Sequence, residues 1–167
     1  NLNAERFKKL LIATVIAAFA VSLWGIPSHF GKDPNCVILT GKLNSNCWQQ
    51  DFNPKLRIFS TIGQPNWLAS YLVLTLPIAI ALIFTAQKTT VRIFFSAAAL
   101  AIFMALIFTN SRAGGVGLAV AVLVFVLLLG NTLIKKNLKL IVAIIIAFAA
   151  TATIFGSKLF LRVDDTI

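Results

Sequence analysis

The chain has 167 residues, of which 59% are hydrophobic and 12% charged, with a formal net charge of +10. Soluble domains carry about 45–50% apolar and about 25% charged residues; a fold of this length has too little interior to hide the excess, so lipid must act as part of the solvent. The positive charge does not point to nucleic acid, because the cations stand in short clusters between apolar runs, at Arg6/Lys8/Lys9, Lys88/Arg92 and Lys135/Lys136/Lys139, rather than in a basic stripe interleaved with aromatics.

A bilayer core needs about 20 apolar residues per helix. Taken in chain order, Leu10–Ile26, Trp67–Phe84, Val91–Phe108, Gly114–Ile134 and Leu138–Phe155 each meet that length without an Asp, Glu, Lys or Arg. The fold class predicted is all-α, a polytopic transmembrane helical bundle of about five spans with one longer extracytoplasmic loop. Residues 1–9 form a cytoplasmic segment, 10–26 the first span, 27–64 the extracytoplasmic loop, 65–155 the later spans, and 156–167 the start of a further outer loop. The first span lacks a clear small-x-small cleavage site and is followed by other spans, so it reads as a retained helix rather than a signal peptide. The chain starts at Asn1 and ends in Leu161-Arg-Val-Asp-Asp-Thr-Ile, which reads as part of a longer protein.

The N-terminus is expected on the cytoplasmic side. That orientation packs the three basic clusters into short inner segments, whereas Lys32, Lys42, Lys55 and Arg57 fall in a long outer loop that counts for less. Arg112, Lys158 and Arg162 also fall outside, with Asp33, Asp51, Asp164 and Asp165. Trp24 and Trp67 then stand at outer helix ends, as aromatic belts do.

The loop 27–64 is rich in Gly, Pro and Asn, which suits turns rather than a buried element. It holds Cys36 and Cys47 on the oxidising side, where a disulfide closing the loop could persist, with two free thiols as the alternative. Their spacing does not suggest zinc. His29 reads as a solvated loop group. Asp33 and Asp51 are conceivable general bases, Asp51 the better placed by its proximity to Arg57, although an ordinary solvated carboxylate is the simpler reading of each.

Arg57 and Arg112 both fall at the outer membrane surface, 55 residues apart. An arginine fork suits phosphate oxygens. Pro65 marks a helix start near Gln64–Asn66, and Gly114 and Gly115 open a helix just after Ser111 and Arg112, so two helix N-termini could join two guanidiniums in an anion site. Asn66 and Ser70 share a face at i, i+4 along that entrance. Against this stand simpler readings: arginines that anchor at headgroups, glycines (Gly114, Gly115, Gly117) that pack helices, Asn66, Ser70 and Tyr71 that bond neighbouring helices, and Pro77 as a tolerated kink.

On Arg57 followed by Gly63-Gln-Pro-Asn-Trp-Leu-Ala-Ser-Tyr-Leu72, and on Asn110-Ser-Arg-Ala-Gly-Gly115, the sequence resembles the O-antigen ligase and polymerase family. The Gln-Pro-Asn form is also similar to the protein O-oligosaccharyltransferases. The resemblance covers roughly residues 55–167. It implies a bacterial inner-membrane glycosyltransferase that moves a glycan from a polyprenyl-diphosphate carrier to a glycan, lipid or protein acceptor on the outer face, without metal or other cofactor. Arg57 and Arg112 would hold the diphosphate, with Gln64, Asn66, Ser70, Ser111, Gly114 and Gly115 lining the site. The resemblance places the acceptor-activating histidine in an outer loop beyond Ile167, so the catalytic base is unassigned, His29 does not take its place, and residues 1–167 alone are expected to be inactive. A flippase or exporter of lipid-linked glycans, or a helix-packing scaffold, are the rival classes.

Overall fold

The computed structural model describes residues 3–48, 52–136 and 138–155. Asp51, Lys158, Arg162, Asp164 and Asp165 lie outside the described residues, as does the segment 156–167. The described chain is all-helical: α1 (Ala4–His29), α2 (Pro34–Thr40), α3 (Pro65–Thr85), α4 (Thr89–Phe108), α5 (Arg112–Lys136) and α6 (Leu138–Phe155). Among the described residues, α1, α3 and α4 are long and apolar enough to cross a membrane, while α5 and α6 contribute the shorter apolar stretches Arg112–Phe125 and Ile141–Ala150.

The core follows from helical periodicity. Leu68, Leu72, Leu76, Ala79 and Ile83 line one face of α3, and Phe95, Ala98, Ile102 and Ala105 line the facing side of α4. α1 joins with the small residues Ala18, Ser22 and Gly25, all buried, which let backbones approach closely. A Cβ on Gly25 would stand 2.9 Å from the Ser60 Cβ. α5 packs on α3 and α6 on α4, where Phe103 and Phe148 stack with ring centroids 4.2 Å apart.

Two boundaries differ from expectation. α1 starts at Ala4, so Arg6, Lys8 and Lys9 are helical rather than a preceding segment, and Lys9 pairs with Glu5 one turn earlier at 2.9 Å. At its other end α1 runs through Pro27 to His29. The last turn is closed by the Pro27 carbonyl, which accepts from Phe30 N and Lys32 N, before Gly31 turns away at φ +79°.

The segment between α1 and α3 is also more than turns. Its first part carries α2, and its later part, Ile58–Ser60, is buried between the ends of α1 and α4. Apolar Ile58 and Phe59 complete the core. Their neighbourhood satisfies the buried backbone, since Ile58 N donates to Phe108 O at 3.0 Å and Ser60 Oγ to Val21 O at 2.7 Å. Gly and Pro composition did not reveal this because two apolar residues in a polar stretch carry no periodicity.

Candidate functional site

The first residues of α3 and α5 lie at the same end of the bundle as the last residues of α1 and α4. Pro65 opens α3, its missing N–H costing nothing in the first turn, and Gln64 caps it by accepting from Trp67 N at 2.8 Å. Thr109, the C-cap of α4, is buried and bonds back to Leu106 O through its hydroxyl at 2.7 Å. Asn110 then takes the left-handed conformation at φ +49°, which asparagine tolerates better than most residues, and α5 starts at Arg112.

Arg57 connects these two helix starts. Its Nε donates to the Thr109 carbonyl at 3.1 Å and its Nη2 to Asn66 Oδ1 at 2.8 Å. Ser111 Oγ donates to the same Asn66 oxygen at 3.0 Å and accepts from Gly114 N at 3.2 Å. A single amide oxygen thus holds the arginine of one motif and the serine of the other, 45 residues beyond Asn66 in sequence.

Among the described residues, two of the five N–H groups of the Arg57 guanidinium are engaged in this way. Arg57 is half-buried; Asn66 and Arg112 are exposed. Among the described residues neither arginine has a carboxylate within salt-bridge range. Arg57 is therefore a cation with no carboxylate partner among the described residues, its fork fixed by two tertiary hydrogen bonds.

The remaining residues of interest divide. Gly115 is exposed with open space around it, so a ligand can approach the backbone there. Gly114 is different: a Cβ would stand 2.9 Å from Ala69 Cβ, so it is a close packing contact of α5 on α3 rather than an open approach. Gly117 likewise faces Val73. Ser70 is exposed on the Asn66 face, with its hydroxyl donated to the Asn66 carbonyl at 3.0 Å. Farther along the same α3–α5 seam, an apolar groove of about 380 Å³ is lined by residues including Val73, Pro77, Gly117 and Val124.

Two expectations for the loop are corrected. His29 is not a solvated group: it is half-buried, and its ring lies parallel to that of Phe108 at a centroid distance of 4.0 Å. Asp33 is fully buried, not a solvated carboxylate. It caps α2 by accepting from Asn35 N at 2.9 Å and accepts from Trp48 Nε1 at 2.6 Å, which gives it a structural task in place of proton transfer.

Asp33 belongs to a brace of which the sequence suggested only the disulfide. Cys36 and Cys47 form a disulfide with Cα atoms 5.6 Å apart. Trp48 packs edge-on against Phe59, and Asn35 Nδ2 donates to Ser60 O at 3.3 Å. The brace thus grips the two residues after Ile58, in the segment that follows Arg57. The partner of its Nε, the Thr109 carbonyl, is a backbone atom that no residue type announces, although the Thr109-Asn-Ser-Arg run contains it.

Set against known protein families, curated proteins and solved structures, the chain matches none.

Proposed function

We propose that this chain is the membrane portion of a glycosyltransferase that takes a glycan from a polyprenyl-diphosphate carrier. The observation that carries the reading is the meeting of Arg57, Asn66 and Ser111 on one hydrogen-bonded centre, with Arg112 next in the chain. The resemblance to O-antigen ligases and polymerases names the same two motifs, and their meeting at one end of the bundle is what a shared phosphate site requires. All five long helices act as spans in this reading, in a bacterial inner membrane with the N-terminus cytoplasmic, and the site opens on the outer face.

In the reaction, an acceptor hydroxyl attacks the anomeric carbon, the glycosyl–phosphate bond breaks, and the polyprenyl diphosphate leaves with the electron pair. The hydroxyl proton passes to a base outside the motifs described here. Arg57 and Arg112 neutralise the charge that grows on the leaving diphosphate, and a fixed donor stabilises that charge without reorganising. No metal or cofactor takes part. The apolar α3–α5 groove lies in line with the cationic end, where the lipid tail of the carrier would run.

A purely structural task for Arg57 is the second reading, favoured by its bond to the Thr109 carbonyl. Full-length protein in liposomes with a polyprenyl-diphosphate glycan and candidate acceptors separates the two. Wild type transfers glycan in the proposed reading, and Arg57→Ala and Arg57→Lys lose transfer while keeping the thermal stability of wild type within a few degrees. Equal transfer by all three leaves Arg57 as a staple only. Passage of the intact lipid-linked glycan across the bilayer without transfer identifies an exporter instead.

A further inference from the structure

The short helix α2 presents an apolar surface that no other part of the described chain covers. Ile38 is 75% exposed and Leu39 63%, with Val37 beside them, and Leu43 just beyond the helix end is 56% exposed. Consecutive exposed branched residues of this kind are unusual in a segment otherwise rich in Asn, Gly and Lys. The opposite side of the helix is fixed: Cys36 is fully buried and bridged to Cys47, and Asp33 caps the first turn. The apolar face is therefore held rigidly outward.

Its depth is set by Trp24. Tryptophan near a helix end belongs to the interfacial belt, where its N–H normally meets headgroups. Here the Trp24 indole donates to Asn35 Oδ1 at 3.0 Å, in the first turn of α2. Trp24 precedes the end of α1 at His29 by about 7–8 Å of helical rise. α2 is thus folded back beside the belt instead of standing out in water. The exposed cations Lys32 and Lys42 flank it on either side in sequence, as on helices that lie in an anionic headgroup layer.

We infer that α2 is an interfacial helix whose Val37, Ile38 and Leu39, with Leu43 just beyond its end, insert into the headgroup–acyl boundary of the leaflet next to the Arg57 site. The inference rests on the membrane-spanning reading and not on the transferase reading. By docking in the lipid, α2 fixes the disulfide-closed brace, and with it the path to Arg57, at a constant height over the bilayer. A soluble or protein-bound loop would not impose that height.

The test uses full-length protein in nanodiscs of phosphatidylcholine and phosphatidylglycerol, with acyl chains brominated near the headgroup or near the chain terminus. Tryptophan emission of wild type is compared with that of Ile38→Trp and of Leu39→Trp, both at exposed positions that accept the ring. Wild-type emission includes Trp24, Trp48 and Trp67, and its quenching through Trp24 and Trp67, compared with a Trp24→Phe/Trp67→Phe variant, checks the membrane-spanning reading by itself. The expected result is that the emission added at position 38 or 39 is quenched at least as strongly as wild type, and more by bromines near the headgroup. If wild-type emission is quenched while the added emission at both positions is not, α2 faces water or a protein partner and the inference fails. If wild-type emission is not quenched either, the membrane-spanning reading falls and takes this inference with it.

Discussion

Two arginines in this molecule each donate to a main-chain carbonyl, and the contrast between them separates a local contact from a tertiary one. Arg92 donates through Nη2 to Ala86 O, only six residues away, from an exposed position in the first turn of α4. Arg57 donates to Thr109 O, 52 residues away, and to Asn66, from a half-buried position between three elements. The first bond ties a helix start to its own linker and needs no tertiary structure. The second exists only when α3, α4 and the preceding loop have come together, and it fixes the direction of a charged fork. Charge and carbonyl partner are the same in both; what differs is how much of the fold is required to hold the side chain.

The comparison breaks most readily in a transfer assay. Arg57→Ala is expected to lower glycan transfer by about 10²–10³-fold, the usual effect of deleting one preorganised donor to a developing negative charge, whereas Arg92→Ala leaves transfer at the wild-type level. Equal losses in the two variants would erase the distinction. Next in size is the brace behind Arg57. Replacing Cys36 and Cys47 together by serine is expected to lower stability by about 2–4 kcal/mol, read as a fall in melting temperature in detergent, with transfer falling alongside because the Trp48–Phe59 contact loosens. No comparable brace supports Arg92.

A finer test compares adjacent glycines of α5. Gly114→Ala forces a methyl to 2.9 Å from Ala69 Cβ and should cost about 1–3 kcal/mol. Gly115→Ala meets open space and should be neutral, or stabilise by up to about 1 kcal/mol through helix propensity. Thermal melts of both variants check the pair; equal destabilisation would mean that α5 does not sit on α3 as described. The smallest effect is expected at Arg92 itself, where Arg92→Ala should change stability by less than about 0.5 kcal/mol, as an exposed local contact does.

Much of the helical architecture was legible in the sequence, because uncharged apolar runs admit few other structures. The start of α3 could be read from Pro65 after Gln64, since proline in the first turn is a local signal. The end of α1 could not: Pro27 looks like a breaker, yet the helix runs through it to His29, and the Pro27 and Ser28 carbonyls are met by N–H groups of the following turn. The two site motifs were legible as residue types, but their junction was not. It depends on one amide oxygen shared by Arg57 and Ser111 and on a backbone carbonyl, and neither has a sequence signature. Asp33 and His29 were misread for a related reason, as their burial comes from Trp48 and Phe108, partners brought near by the fold.

The central claim, that the Arg57–Asn66–Ser111 centre binds the diphosphate of a lipid carrier, is tested most directly by binding. The full-length protein in nanodiscs would be titrated with a polyprenyl diphosphate, with wild type, Arg57→Ala and Arg92→Ala measured side by side. Wild type and Arg92→Ala should bind with the same affinity, and Arg57→Ala should bind at least about tenfold more weakly, the loss expected for a charge-assisted bond. Equal binding by all three proteins would contradict the account and leave Arg57 as a structural tie between α3 and the end of α4.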